Sequence, residues 1–358
     1  MNKFTNIIAL LCLTAAFAAC SKDEDPIVTV SPSDGSTMTL NGLIGAEAGA
    51  SAGNSVFVDF STDKQTSVAR ASWDLGFYSG TDYRVILNHS VGATAIATTK
   101  TNLNDVTAAD TTSLVTSATL ALGQGAGLFT TIDPVEGTAT AYLSGTVIQA
   151  VSATEADNKV YIVNRGAAGV AGNSGWQKIR VIRNSSGYTL QYAKITETTF
   201  KTLNIAKDAT HNFKYASFVN GAVTVEPEKA AWDIEWGLTT YKASATTPYT
   251  FSDFVILNFV GGATAAEVIY SGTAANNTVA YADFKEANLT GIAFVGTRDV
   301  IGSNWRATTG TIGVKTDRFY LVKDGAGNIY KLKFISFHPS DSGVRGKPVI
   351  EYKLVKTA

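Results

Sequence analysis

The side chains with which this chain could ligate a metal, hold a cofactor or attack a substrate are few and scattered. It contains three histidines, His89, His211 and His338, and two cysteines, Cys12 and Cys20; Met38 is its one methionine beyond the first residue. Both cysteines lie in the first twenty residues, so the rest of the chain can form no disulfide and no thiolate metal site. The histidines are far apart, and none sits at the short spacing that marks a zinc site or a nucleophile–base pair. Gly123-Gln124-Gly125-Ala126-Gly127 lacks the strand-to-helix context and the following Lys-Ser/Thr of a phosphate loop, and reads as a turn. Paired carboxylates for glycoside hydrolysis have no local signature. No catalytic constellation stands out among these residues, and no enzyme activity is expected.

The elements that must carry such residues are read from an internal repeat. Trp73-Asp74-Leu75 recurs as Trp232-Asp233-Ile234, a spacing of 159 (232 − 73), and Val85-Ile86-Leu87-Asn88 recurs as Val255-Ile256-Leu257-Asn258, a spacing of 170 (255 − 85). The second copy therefore carries about eleven extra residues between the two motifs, centred on Lys242 to Tyr249 and predicted as a lengthened loop. Val160-Tyr161-Ile162-Val163 answers Phe319-Tyr320-Leu321-Val322, again at 159. The closing segments alternate apolar and polar residues, and Asn184-Ser185-Ser186-Gly187 and Asp324-Gly325-Ala326-Gly327-Asn328 supply turn chemistry. Each copy is predicted to end in an antiparallel meander. No long helical period is present; residues 102–110 and 281–288 are candidates for short helices. The expected architecture is all-β: two tandem modules over residues 51–198 and 199–358, after a signal segment (1–19) and a flexible stem (20–50).

The repeat also sorts the candidate ligands. His89 ends the first Val-Ile-Leu-Asn strand where the second copy has Phe259, which predicts packing. His211 falls in a polar linker, His338 at a hairpin tip, and Met38 in the stem. Tyr142, Tyr270 and Tyr281 lie in the loop-rich middles, and a tyrosine oxygen can ligate a ferric ion. Trp73 and Trp232 are expected as core anchors, with Asp74 and Asp233 holding local backbone donors.

The N-terminus reads as an address. Lys3, the apolar run from Ile7 to Leu13 and the small residues before Cys20 form a secretory signal, too short to span a membrane. Phe17-Ala18-Ala19-Cys20 resembles the lipobox of bacterial lipoproteins, which implies cleavage before Cys20 and a diacylglycerol on its thiol. Ser21-Lys22-Asp23-Glu24-Asp25-Pro26 reads as a solvated tether and resembles the acidic signal that sends lipoproteins of the Bacteroides group to the cell surface. Outer-membrane lipid is thus the expected partner of Cys20. With a formal net charge of −1 and no basic stripe, nucleic acid is not an expected partner.

The Trp-Asp and Val-Ile-Leu-Asn motifs and the Gly-Ala blocks that follow them, Gly92-Ala93-Thr94-Ala95 and Gly262-Ala263-Thr264-Ala265, together with the closing Asp324-Gly325-Ala326-Gly327-Asn328-Ile329-Tyr330 hairpin, resemble the HmuY family of Bacteroidetes haem-binding surface lipoproteins. The resemblance implies an all-β fold, haem as cofactor and a TonB-dependent outer-membrane receptor as partner. It also implies two His or Met side chains clamping the iron from loops between the Gly-Ala block and the closing strands. Residues 91–210 and 212–337 contain no His, Met or Cys, so those ligands are absent here. Two readings follow: a haem-binding surface lipoprotein, or one that kept the scaffold and takes a glycan or protein ligand instead.

Overall fold

The computed structural model describes residues 31–123, 126–170 and 172–358. In chain order the strands are β1 (Gly35–Thr39), β2 (Asn54–Asp59), β3 (Lys64–Ala69), β4 (Leu75–Tyr78), β5 (Val85–Leu87), β6 (Thr94–Ala97), β7 (Tyr161–Asn164), β8 (Gln177–Arg183), β9 (Gly187–Lys194), β10 (Lys201–Ala206), β11 (Phe213–Ser217), β12 (Gly221–Val223), β13 (Ile234–Lys242), β14 (Pro248–Leu257), β15 (Thr264–Ile269), β16 (Arg306–Ala307), β17 (Gly313–Val314), β18 (Arg318–Lys323), β19 (Ile329–Ser336) and β20 (Val349–Lys356). Two short helices, α1 (Thr112–Thr116) and α2 (Ala139–Ser144), interrupt them. The expected all-β class is observed, and both closing meanders form, as β7-β8-β9 and β18-β19-β20. Their turns use the predicted residues. Asp324 accepts from the amides of Gly327 (2.6 Å) and Asn328 (2.8 Å), and Asn184 accepts from that of Ser186 (2.9 Å). The predicted helices shrink to 3-10 turns at Leu103–Asp105, Ala108–Thr111 and Glu286–Leu289, because stretches this short gain too few hydrogen bonds to offset nucleation.

Four large sheets share these strands, and all the pairings are antiparallel. Lobe 1 has the five-stranded order β10-β9-β8-β7-β6 and the four-stranded order β12-β11-β4-β5; lobe 2 has β1-β20-β19-β18-β15 and β14-β13-β2-β3. The two lobes match strand for strand, but not by the expected division at residue 198. Strands β1, β2 and β3, which open the first copy, complete the sheets of lobe 2. Strands β10, β11 and β12, which open the second copy, complete those of lobe 1. Residues 35–69 thus lie in the sheets of lobe 2 and residues 201–223 in those of lobe 1, and Pro32–Ala358 is one compact unit. The repeat shows which segments correspond but carries no mark of which copy each strand pairs with, so tandem modules were the simpler expectation.

The Trp-Asp motifs fasten the exchange. Asp74 accepts the Phe218 amide at 2.7 Å, just beyond β11, and Asp233 accepts the Phe60 amide at 2.8 Å, just beyond β2. These donors are remote in sequence, not local as expected. The two asparagines that end the repeated strands do the same job twice. Asn88 Nδ2 donates to the carbonyls of Arg70 (2.8 Å) and Trp73 (2.7 Å), and Asn258 Nδ2 to those of Lys229 and Trp232 (both 2.8 Å). Trp73 and Trp232 are buried, as expected.

In each lobe the two sheets pack face to face, and the two four-stranded sheets meet along a seam. Alternate residues therefore face different cores. Val85 and Leu87 join the lobe 1 core while Ile86 joins the seam, and Val255 and Leu257 face the lobe 2 core. An unbroken Val-Ile-Leu run is the sequence of a strand buried on both faces.

The stem also differs from expectation. Gly35–Thr39 is strand β1, Leu40 is fully buried, and Met38 pairs with Ile350 and packs on the core. The signal segment, Cys20 and residues 21–26 lie outside the described residues.

The two clasps differ in charge. Arg165 grips Asp74 with two hydrogen bonds, of 2.6 and 3.1 Å. The position equivalent to Arg165 at the 159 spacing is Asp324, and burial, with Asp59 and Asp324 nearby, pushes Asp233 up to about 8. A carboxyl whose pKa rises on folding takes up a proton between its unfolded and folded values. Its contribution to stability therefore falls as pH rises from about 4 to about 8 and is level above that. Asp233→Asn keeps an acceptor for Phe60 and should flatten that slope by roughly 1 kcal/mol per pH unit, measured by urea unfolding at pH 5 and 8. Asp74→Ala strands Arg165 and should cost about 3 kcal/mol at both values.

Candidate functional site

A cavity of about 780 Å³ opens where the loops at one end of lobe 1 meet lobe 2, a volume in the range of small-molecule and cofactor sites. Three elements build it. The β5–β6 loop supplies Val91 and Gly92. The segment from α1 onward supplies Leu114, Val115, Ala118, Leu120 and Leu122. The β7–β8 loop supplies Asn164, Val170 and Trp176 among glycines. Lobe 2 adds Leu238 of β13 and Thr250 of β14.

Local chemistry explains how these loops come together. Asn88 caps the turn at His89–Val91 by accepting the Ser90 amide at 3.0 Å, and Gly92 follows with a φ of 68°, a left-handed position that favours glycine. Gly166, at a φ of 56°, lets the β7–β8 loop run against that turn; a Cβ there would lie 2.1 Å from the Val91 carbonyl oxygen. Asn164 Nδ2 donates to the Leu120 carbonyl at 2.8 Å and so fixes the opposite wall. Trp176 packs on Leu103, Val106 and Leu120 in a small core of its own.

The lobe 2 wall is the insertion. β13 and β14 run nine and ten residues, against four and three for their counterparts β4 and β5. The extra residues extend a hairpin rather than a loose loop, as had been expected. It is stiffened by Tyr241 packed edge-on against Phe251 and closed by the Ala243 amide on the Thr247 carbonyl at 2.9 Å. Lys242 pairs with Glu136 of lobe 1, and the Tyr241 hydroxyl donates to Asp299 at 2.9 Å.

One charged side chain lines the cavity among the described residues, Arg70. It donates Nε to the Ala52 carbonyl at 2.6 Å, Nη1 to the Ser90 carbonyl and Nη2 to the Ser51 carbonyl at 3.4 Å. Sequence reasoning passed over it. The available signal was a basic residue three positions before Trp in both copies, Arg70 and Lys229.

None of the candidate iron donors reaches this cavity. His89 lies half-buried in the seam, 2.9 Å from the Thr239 hydroxyl and edge-on to Trp73, as its Phe259 counterpart implied. His211 contacts Asp208 and Thr210, and His338 contacts Ser340. Tyr142 is buried against Phe259 in the seam. The Tyr270 hydroxyl donates to the Thr316 carbonyl, and Tyr281 packs on Phe319, both in lobe 2. Haem iron needs His, Met, Cys or Tyr, and the described lining has none. Among the described residues this cavity thus has no axial ligand.

The seam holds a second, far smaller space of about 40 Å³, beside His89, Tyr215, Glu226, Glu235 and Arg298. Burial holds the His89 imidazole well below its usual range, with Arg298 adding to the effect, and raises Glu235, which approaches it to 3.9 Å. Burial pushes Glu226 up to about 8 although its carboxyl accepts the Phe213 amide at 2.6 Å. Arg298, fully buried, is held by the Val135 carbonyl at 2.9 Å and the Thr239 hydroxyl at 2.5 Å. Among the described residues no group of His, Cys, Asp and Glu is placed to hold a metal ion, and no helix is long and apolar enough to cross a membrane. Gln124 and Gly125, within the glycine-rich turn, lie outside the described residues.

Comparison with known proteins gives one family. A family model described as HmuY protein matches residues 51–352, a single span that runs through both copies. No curated protein and no solved structure matches.

If His89 serves packing alone, His89→Phe should cost about 1 kcal/mol for the lost hydrogen bond to Thr239 and leave ligand binding unchanged. Chemical unfolding and a binding titration on the same preparation check this; weakened binding with unaltered stability would return His89 to the list of ligand residues.

Proposed function

The chain belongs to the HmuY family, and we propose on that premise that it is a lipid-anchored surface protein that captures haem or a related tetrapyrrole in the cavity beside Arg70. The family is one of haem-binding surface proteins, not of enzymes. The observation that carries the reading to a place is the cavity itself. It is large and mostly apolar, and it is assembled from the β5–β6 loop that follows Val85-Ile86-Leu87-Asn88, the segment from α1 onward and the β7–β8 loop, against the β13–β14 hairpin. Apolar walls with a few fixed polar groups suit a large flat ligand, which gains most of its affinity from burial.

Cys20 supplies the anchor in this reading, with residues 21–26 as tether. A protein held this way can pass its ligand to a TonB-dependent receptor in the same membrane. The chain is read as a duplicated unit, because the clasps at Asp74 and Asp233 and the caps at Asn88 and Asn258 repeat contact for contact. The donor-free lining favours one other reading, in which the scaffold takes a glycan or protein ligand at the same surface.

Titrating the soluble body, from Ser21 onward, with haemin should give a saturable shift of the Soret band. A spectrum indistinguishable from free haemin would sink the tetrapyrrole reading and leave the other. In the native cell, Cys20→Ala should move the protein out of the membrane fraction, read by fractionation and blotting; unchanged membrane association would remove the lipid anchor from the account.

A further inference from the structure

Resting on that functional reading, we propose that the cavity recognises its ligand without touching a metal: it takes a flat apolar carboxylic acid, with the carboxylate on Arg70 and the ring system against Leu120, Leu122 and Trp176. An iron-free porphyrin then binds as well as haemin does.

The first observation is where the iron donors go. His89 is committed to Thr239 and Trp73 inside the seam, Tyr142 to Phe259, and Met38 to the lobe 2 core. Moving any of them to the cavity would open a buried contact. The second is the lining. Leu120 and Trp176 are buried and belong to one small core, so they form a fixed wall, while Val115, 48% exposed, stands at the rim. Burial against such walls supplies affinity in proportion to apolar area, whatever occupies the centre of a macrocycle.

The third observation is Arg70. A guanidinium has five N–H donors. Three carbonyls, those of Ser51, Ala52 and Ser90, take Nε and one N–H on each terminal nitrogen. One N–H remains on each of Nη1 and Nη2, the fork that a carboxylate accepts. The three carbonyls hold the fork in place, so little side-chain freedom is lost on binding. Glu47, outside the lining, is the carboxylate whose charge reaches Arg70, and its oxygens are taken by the Ile44, Gly45 and Gly53 amides.

The test compares haemin, protoporphyrin IX and protoporphyrin IX dimethyl ester on the soluble body, following quenching of tryptophan fluorescence and the porphyrin's own emission. Haemin and protoporphyrin IX should bind within about threefold of each other, and the ester about tenfold more weakly. Arg70→Gln should abolish the difference between acid and ester. Because that change removes contacts to three carbonyls, Val115→Asp is the second variant: its side chain is at the rim, and it should weaken both free acids about tenfold with the unfolding midpoint unchanged. Haemin binding tenfold or more tightly than protoporphyrin IX, with a six-coordinate spectrum, overturns this inference and leaves the functional reading standing. Failure of all three to bind overturns the functional reading itself. An unchanged affinity in Val115→Asp moves the site elsewhere.

Discussion

The structure depends on one exchange. Strands β1 to β3 complete the sheets of lobe 2, and strands β10 to β12 complete those of lobe 1. Without it, β4 and β13 would each present an open edge and an uncovered apolar face. The Trp-Asp motif stands at the crossing point. The tryptophan fills the seam, and the aspartate accepts a backbone amide from the incoming strand, in surroundings where an unmet donor would cost about 1–3 kcal/mol. That is a physical reason for the pair to occur twice. The exchange also brings the two ends of the described chain together. β1 lies on β20, the Tyr352 hydroxyl donates to Asp63 at 2.6 Å and that of Tyr330 to the Ser33 carbonyl at 3.2 Å. Lobe 2 therefore closes only when its last strands exist, whereas lobe 1 is a continuous run from β4 to β12.

The seam between the four-stranded sheets is less apolar than the two lobe cores. Glu226, Glu235 and Arg298 are buried there and His89 half-buried, with hydroxyls and backbone carbonyls around them. Burying charge is costly, and burial raises the pKa of both Glu226 and Glu235. The clasps show both ways of meeting the same cost. Asp74 has Arg165 as counter-ion, while Asp233, with Asp324 where the arginine would be, is pushed towards the neutral form. One geometry is thus kept with two electrostatic solutions.

Much of this was legible in the residues. Alternation gave the closing meanders, Asn and Asp with Gly gave their turns, and the Phe259 counterpart gave the packing role of His89. What was not legible shares a cause. Strand exchange, the capture of β1 from the stem and the distant donors of Asp74 and Asp233 are all choices of partner. Period and propensity describe a strand's faces, not the strand beside it. Arg298 gave no signal either: within Gly296-Thr297-Arg298-Asp299 it reads as a surface loop, and only the fold places it in the seam.

The insertion in the second copy ties the cavity to the duplication. Two matched lobes would be expected to carry two matched cavities. The long β13–β14 hairpin removes that equivalence, because it reaches across to lobe 1 and sets Leu238 and Thr250 against the loops that hold Gly92 and Leu122. Its counterpart β4–β5 is too short to do the same for lobe 2. The hairpin is anchored at both ends of its reach, by β2 on one side and by the Lys242–Glu136 pair on the other. The large cavity is thus a property of neither copy alone. It arises where the asymmetric element of the second copy meets the loops of the first, and the exchange of strands fixes the two at the distance the cavity needs.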